Sequence, residues 1–147
     1  MTSEVHMVDI SGKPDVVRVA KARGVIKLRP ETVKAIVEGR VPKGDVFSVA
    51  RVAAILAVKR TWEIVPLCHP IPITSVDVEL EARDDRVEAT VTVKTVAKTG
   101  VEMEALTGVS AALLSVWDMV KALEKDERGQ YPYTAIEKIE VVEKVKG

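Results

Sequence analysis

Residues 76–94 read VDVELEARDDRVEATVTVK, and this stretch decides the fold. Apolar side chains occupy every second position in both halves, at 76, 78, 80 and 82 and again at 87, 89, 91 and 93. Alternation with a period of two places the apolar side chains of a strand on one face. Because residues 83–86 between the two halves are polar, the stretch predicts an antiparallel hairpin with one buried face.

A long helix is predicted on each side of the hairpin. Residues 46–61 have apolar side chains at helical spacing, and Asp45 is placed to accept hydrogen bonds from the first turn. A second helix is predicted to start at residues 99–102, where Thr99 and Glu102 have the spacing of a capping box, and to run to about residue 125. We expect the core stripe of this second helix to comprise Met103, Leu106, Leu113, Trp117 and Val120.

A strand is predicted near each end of the chain, at residues 14–28 and 139–145. With a short helix after Pro30 left out, the order is strand, helix, strand, strand, helix, strand. This order is typical of an α+β, ferredoxin-like domain with an antiparallel βαββαβ sheet and two long helices on one face. We expect residues 1–147 to form this single domain, with residues 1–12 loosely held. The opposite face of the sheet then needs a cover, which predicts a homo-oligomer.

The composition excludes several classes of protein. The chain has 147 residues, with 22 Lys and Arg against 22 Asp and Glu, two His and one Cys. Zero net charge argues against a nucleic-acid partner, and one cysteine excludes an internal disulfide and a cysteine-only zinc site. No uninterrupted apolar run approaches the roughly 20 residues that span a bilayer, and no signal peptide is evident. We therefore expect a cytoplasmic protein that does not enter a membrane.

The amide content points to a thermophile. The chain has no Asn, and Gln130 is its single Gln. Both amides are thermolabile, and their scarcity beside abundant Lys, Arg and Glu is typical of proteins that work at high temperature.

Two loops carry reactive side chains. Lys43 precedes a helix N-terminus, where backbone N–H groups attract anions, although the residues alone favour a solvated loop lysine. Cys68 and His69 lie in the loop LCHPIPIT, residues 67–74, which is rich in proline and therefore stiff. His69 could donate a hydrogen bond, transfer a proton or bind a metal, but one Cys and one His supply only half of a zinc site.

One face of the long helix is the third reactive place. Glu104 and Asp118 are 14 residues apart, close to four whole turns, so their side chains share a face. Lys121 stands three residues beyond Asp118, where the two side chains can pair. Because Trp117 and Met119 flank Asp118, we expect a partly desolvated carboxylate that exchanges protons near neutral pH. A solvated ion pair on a helix surface is the alternative.

Four motifs carry a resemblance to a known family. They are HMVDIS at 6–11, PKGDVF at 42–47, LCHPIPIT at 67–74 and KTGVEMEALTGVSAALLSVWDMVKALEKD at 98–126. In these motifs the chain resembles the molybdenum cofactor biosynthesis protein C family, the cyclic pyranopterin monophosphate synthases. The resemblance runs from residue 6 to about residue 126, which is over four-fifths of the chain.

The resemblance implies an activity and an assembly. It implies a lyase of the phosphorus–oxygen type that rearranges a GTP-derived 3′,8-cyclo-nucleoside triphosphate to cyclic pyranopterin monophosphate and releases pyrophosphate. It implies a hexamer, as a trimer of dimers, with active sites at subunit interfaces. Neither the resemblance nor the sequence suggests a cofactor or a protein metal site, and a divalent cation on the substrate phosphates is left as an alternative.

The resemblance also assigns roles to individual residues. It makes Asp118 and Lys121 the catalytic acid/base pair and Lys43 a second catalytic or phosphate-holding lysine. It assigns to the substrate site Leu67, Cys68, His69, Glu102, Met103 and Glu104, with Arg18 at the phosphates. The C-terminus departs from the family, because many members end in a tail rich in Lys, Gly and Ser, whereas this chain ends EKVKG. Lys144 is the better match to the tail lysine, with Lys146 as the alternative.

Two other functions compete with this one. A non-catalytic, oligomeric nucleotide sensor of the same fold would bind a triphosphate without needing Asp118 or Lys121. A nucleic-acid module would present a basic sheet with aromatic side chains. The aromatic content of 3% and the acidic strand at 77–81 argue against the nucleic-acid module.

Overall fold

Four strands form a single antiparallel sheet in the structure, a computed structural model that describes residues 4–147. The elements in chain order are β1 Val16–Lys27, α1 Pro30–Val37, α2 Val46–Lys59, α3 Thr61–Ile64, β2 Ile73–Arg83, β3 Arg86–Ala97, α4 Glu102–Glu124 and β4 Ala135–Lys146. The strand order is β2-β3-β1-β4. This confirms the predicted ferredoxin-like βαββαβ arrangement.

The hairpin of β2 and β3 follows the predicted alternation. Val78 pairs with Val91, and Arg83 pairs with Arg86 across the turn. The alternate positions of β3 that face the helices are fully buried, namely Val87, Ala89, Val91 and Val93. Strand β1 lies in the middle of the sheet and pairs with β3 on one side and β4 on the other.

The outer face of the sheet is more polar than the sequence analysis assumed. A shallow cavity of about 170 Å³ on this face is lined by Arg23, Glu79, Glu81, Arg83, Glu88 and Thr90. Within it, Arg83 forms ion pairs with Glu81 and Glu88. Val17, Val96 and Val145 are exposed on the same face, so it also offers apolar surface that a covering subunit would bury.

The two long helices pack side by side on the inner face of the sheet. Gly108 of α4 lets them approach closely, because a Cβ atom there would lie 2.8 Å from Val58 of α2 and 3.1 Å from Val91 of β3. Asp45 caps α2 as predicted, with its carboxylate accepting from the backbone N–H of Ser48 at 3.2 Å. The core lies between these helices and the sheet.

Two predictions for α4 are wrong. The helix begins after Val101 without any side-chain cap, so Thr99 and Glu102 form no capping box. The carboxylate of Glu102 instead pairs with Lys144 of β4. Met103 is 42% exposed rather than part of the core stripe. The buried stripe uses smaller side chains that fit between α2 and the sheet, among them Ala105, Val109, Ala112, Leu113, Val116 and Val120.

A buried carboxylate joins three elements at the far end of α4. Glu124 is fully buried and accepts hydrogen bonds from the backbone N–H of Arg29 at 3.0 Å and from the hydroxyl groups of Thr32 and Thr134. The carboxylate thereby supplies the cap that α1 lacks in its own sequence. This network could not be predicted from the sequence, because its partners are far apart in the chain.

Helix α4 is the one helix within residues 4–147 that is long and apolar enough to cross a membrane by length and composition. It packs against α2, β1 and β3, and it carries the buried carboxyl groups of Glu104 and Glu124. We therefore interpret α4 as a core helix.

Candidate active site

The predicted site residues form two clusters near opposite ends of α4. The lysine–aspartate cluster consists of Lys43, Asp118 and Lys121. The loop pocket is a cavity of about 410 Å³ lined by Val8, Ile10, Lys13, Val65, Leu67, Cys68, His69, Thr99, Gly100, Glu102 and Met103. Five of the eight residues predicted for the substrate site therefore line one cavity.

Asp118 holds two lysines in the lysine–aspartate cluster. Lys43 Nζ donates to Asp118 Oδ2 and to the backbone oxygen of Asp118, both at 3.1 Å, and Lys121 Nζ lies 3.2 Å from Oδ1. Lys43 reaches Asp118 because the loop before α2 ends beside α4. In this loop, Gly44 adopts a left-handed φ of 113°. The predicted pair of Asp118 and Lys121 is present, and Lys43 completes it from 75 residues away.

Within a single chain, Asp118 is not desolvated as predicted. The Asp118 side chain is 60% exposed. The hydrogen bond from Lys43 and then that from Lys121 hold the pKa of Asp118 below its ordinary value. Trp117 does not cover the carboxylate, since its ring packs edge-on against Tyr131 with the ring centroids 5.2 Å apart. Asp118 is therefore ionised at neutral pH.

The loop pocket has a carboxyl group beneath it. Glu104 is only 2% exposed, and its Oε2 lies 3.8 Å from the thiol sulfur of Cys68. Burial raises the pKa of Glu104. Burial and then the charges of Glu104 and Glu102 raise the pKa of Cys68. The thiol is thus protonated and suited to donate a hydrogen bond.

His69 connects the loop pocket to the N-terminal segment. Its Nε2 lies 2.7 Å from the backbone oxygen of Val8. A carbonyl oxygen only accepts hydrogen bonds, so Nε2 is the N–H donor. The backbone oxygen of Lys13 accepts from Lys98 Nζ at 3.0 Å, which fixes the same segment a second time. Residues 4–15 form no helix or strand, yet these contacts hold them against the pocket.

Two lysines lie at or beside the loop pocket. Lys144 Nζ lies 3.1 Å from Glu102 Oε2, which favours Lys144 over Lys146 as the C-terminal lysine of the site. Lys13 also lines the cavity, and the sequence analysis missed it. Its position just after the HMVDIS motif is the signal that could have identified it.

Arg18 occupies a structural position. It is 6% exposed, and its guanidinium group donates to the backbone oxygens of Ala97 and Lys98 at 3.4 and 3.2 Å. These bonds fix the connection from β3 to α4, on which Thr99 and Gly100 line the pocket. The assignment of Arg18 to the substrate phosphates stays a prediction.

The two clusters are far apart within one chain. Glu104 and Asp118 are separated by 14 residues of continuous helix, and a rise of 1.5 Å per residue puts them about 21 Å apart along the axis. Within residues 4–147, no group of three or more His, Cys, Asp and Glu side chains could hold a metal ion.

Comparison with known proteins assigns the family. The chain belongs to the MoaC family, which residues 7–147 match. A Pyrococcus furiosus protein named probable cyclic pyranopterin monophosphate synthase is 60% identical over 97% of this chain and 91% of its own length. A Methanocorpusculum labreanum protein of the same name is 59% identical over 99% of this chain and 92% of its own. A third relative, from Methanothermobacter thermautotrophicus, is 59% identical over 97% of this chain and 89% of its own length. It is named a probable accessory protein of that synthase.

Proposed function

We propose that this chain is a cyclic pyranopterin monophosphate synthase, a lyase of molybdenum cofactor biosynthesis. Its substrate in this proposal is the GTP-derived 3′,8-cyclo-nucleoside triphosphate, which it rearranges with release of pyrophosphate. The observation that carries the proposal is the pairing of Asp118 with both Lys43 and Lys121 in a chain of this family.

We propose that one active site is assembled from two copies of the chain, within the predicted hexamer. The loop pocket of one copy would face the lysine–aspartate cluster of the other. The separation of about 21 Å along α4 supports this arrangement, because one chain alone does not bring its two clusters together. The residue midway between Glu104 and Asp118 is Ala111, which is small and half-buried. A two-fold axis near Ala111 would place Glu104 of each copy opposite Asp118 of the other.

The surface between the two clusters supports the same assembly. Leu114 is 60% exposed on α4, and Met103 is exposed on the same helix. Exposed large apolar side chains on a helix are suited to burial against another copy. Covering this surface would also shield the exposed Asp118 from water and strengthen its interactions with charged groups.

The charges of the proposed site match its substrate. Lys43 and Lys121 from one copy, with Lys13 and Lys144 from the other, would neutralise a triphosphate. A substrate hydroxyl group attacks the α-phosphorus, its proton goes to a base, and the P–O bond to the β-phosphate breaks with its electrons on pyrophosphate. The ionised Asp118 is suited to act as the base, and the lysine ammonium groups to stabilise the leaving pyrophosphate.

The proposal involves no redox cofactor, since the rearrangement moves protons and bonds without net oxidation. A divalent cation bound through the substrate phosphates is the alternative, and adding a chelator to the assay tests it. We further propose that the protein works in the cytoplasm.

The proposal is tested by incubating the protein with the cyclo-nucleoside triphosphate. We expect one pyrophosphate released for each pterin formed, and no release from the Asp118→Asn variant. Binding of the triphosphate without pyrophosphate release would contradict the proposal. That outcome would instead support the nucleotide sensor, the alternative that the accessory-protein name of one relative favours.

A further inference from the structure

A hydrogen bond at the base of the loop pocket is not used by the chemistry proposed above. The Cys68 thiol donates to Oε2 of the buried Glu104 carboxyl group. The other oxygen of this group, Oε1, is buried and has no hydrogen-bond partner among the described residues. Glu102 Oε1, at the same pocket, is also buried without a partner in that part of the chain.

Unpartnered buried oxygens point to a ligand. A buried acceptor without a donor destabilises the protein, and native structures contain few of them unless a water, an ion or a ligand satisfies them. An ionised carboxyl oxygen can only accept, so the missing partner of each of these oxygens is a donor of N–H or O–H groups. A nucleotide base with an amino or ring N–H edge has this chemistry.

Cys68 is the polar side-chain partner of Glu104, because the charged groups nearby are engaged elsewhere. Lys144 is held by Glu102, and His69 donates its Nε2 proton to the backbone of Val8. Lys13 lines the cavity on the side of the N-terminal segment. Besides the backbone N–H of Glu104 itself, the thiol is therefore the group that orients the buried carboxyl group.

We propose that Cys68 is a positioning residue, whose thiol holds the Glu104 carboxyl group so that it accepts a hydrogen bond from an N–H group of the bound nucleotide. This inference rests on the proposed function. Cys68 does not act as a nucleophile, because its proton is engaged by Glu104 and two carboxyl groups oppose formation of a thiolate.

The contact between thiol and carboxyl group is tested without substrate. Cys68 is the single cysteine, so the pH dependence of alkylation by iodoacetamide reports on this thiol alone. We expect a midpoint above the ordinary value of about 8.5 in the wild type and a fall of about one unit in Glu104→Gln. Glu102→Gln, which removes a neighbouring charge but not the hydrogen bond, should give a smaller fall.

An unchanged midpoint in Glu104→Gln, or a larger fall in Glu102→Gln, would overturn the inference. If Glu104→Gln does not fold, Glu104→Asp retains the charge but withdraws the carboxyl group by one methylene, and it should still lower the midpoint. Failure of the proposed function is distinguishable, since the thiol titration is read in the absence of substrate.

The positioning role is tested by kinetics. We expect Cys68→Ala to lower kcat/KM about tenfold and Cys68→Ser, which keeps a donor, to recover most of that loss. Full activity of Cys68→Ala would overturn the role. Equal inactivity of both folded variants would also overturn it, because that result requires chemistry that only a thiol provides.

Discussion

Asp118 is the residue on which the proposed chemistry depends. Its carboxylate is exposed and holds Lys43 and Lys121 at 3.1 and 3.2 Å. Because these contacts lower its pKa, Asp118 is a base rather than an acid at neutral pH. The ammonium groups of Lys43 and Lys121 beside it are the proton donors in this proposal.

Loss of either member of the proposed catalytic pair, Asp118 and Lys121, should reduce turnover. We expect Asp118→Asn and Lys121→Ala each to lower the single-turnover rate of pyrophosphate release by about 100-fold or more. Lys125→Ala, which removes an exposed lysine just beyond the helix, is the matched control and should have little effect. Near-normal rates in both site variants would refute the assignment.

Glu104 should make stability depend on pH. Burial raises the pKa of Glu104 above 4.5, so the folded state binds its proton more tightly than the unfolded state. The protonated Glu104 carboxyl group makes its full contribution to stability below pH 4.5. This contribution is lost as the pH rises through the pKa of Glu104 in the folded state. The free energy of unfolding of Glu104→Gln should therefore rise relative to the wild type as the pH increases above 4.5 in urea titrations. A difference that does not change with pH would contradict the burial of an ionisable group.

At the scale of elements, local patterns predicted most of the fold. The hairpin, the middle strand β1 and the cap of α2 by Asp45 follow from alternation and capping within a few residues. The start and the buried stripe of α4 did not follow, because Met103 and Glu102 are placed by contacts with the pocket and with β4. Sequence spacing alone carries no information about such contacts.

The candidate site shows the same division. Asp118 and Lys121 are three residues apart on one helix, so their pairing was predictable. Lys43 joins them from a loop 75 residues away, and only the fold brings it there. The exposure of Asp118 was not predictable, because it depends on the direction that Trp117 takes towards Tyr131.

Gly24 tests the packing of α4 on the sheet. A Cβ atom at this position in β1 would lie 2.8 Å from Val109 and 3.0 Å from both Leu113 and Ile139. We expect Gly24→Ala to lower the free energy of unfolding by about 1–3 kcal/mol, the usual cost of overpacking a core. Gly12→Ala is the control, since its Cβ atom would meet nothing within 4 Å. Equal stability of the two variants in urea denaturation would argue against this packing.

At the scale of the whole molecule, the composition predicts thermal stability. The absence of Asn, beside 30% charged residues, is typical of thermophilic proteins. We expect an unfolding midpoint above about 65 °C, the upper end of the range for mesophilic domains, by calorimetry. A midpoint below about 60 °C would contradict the prediction.

Assembly is the central claim, because the proposed site requires both clusters and one chain keeps them apart. The direct test is to co-express an Asp118→Asn chain with a His69→Ala, Lys13→Ala chain and to purify the mixed oligomers through two different tags. If sites form between copies, each two-fold pair that holds one chain of each kind has one intact site of two, and we expect pyrophosphate release at up to about half of the wild-type rate. Mixed oligomers no more active than the mean of the two parent variants would contradict a shared site.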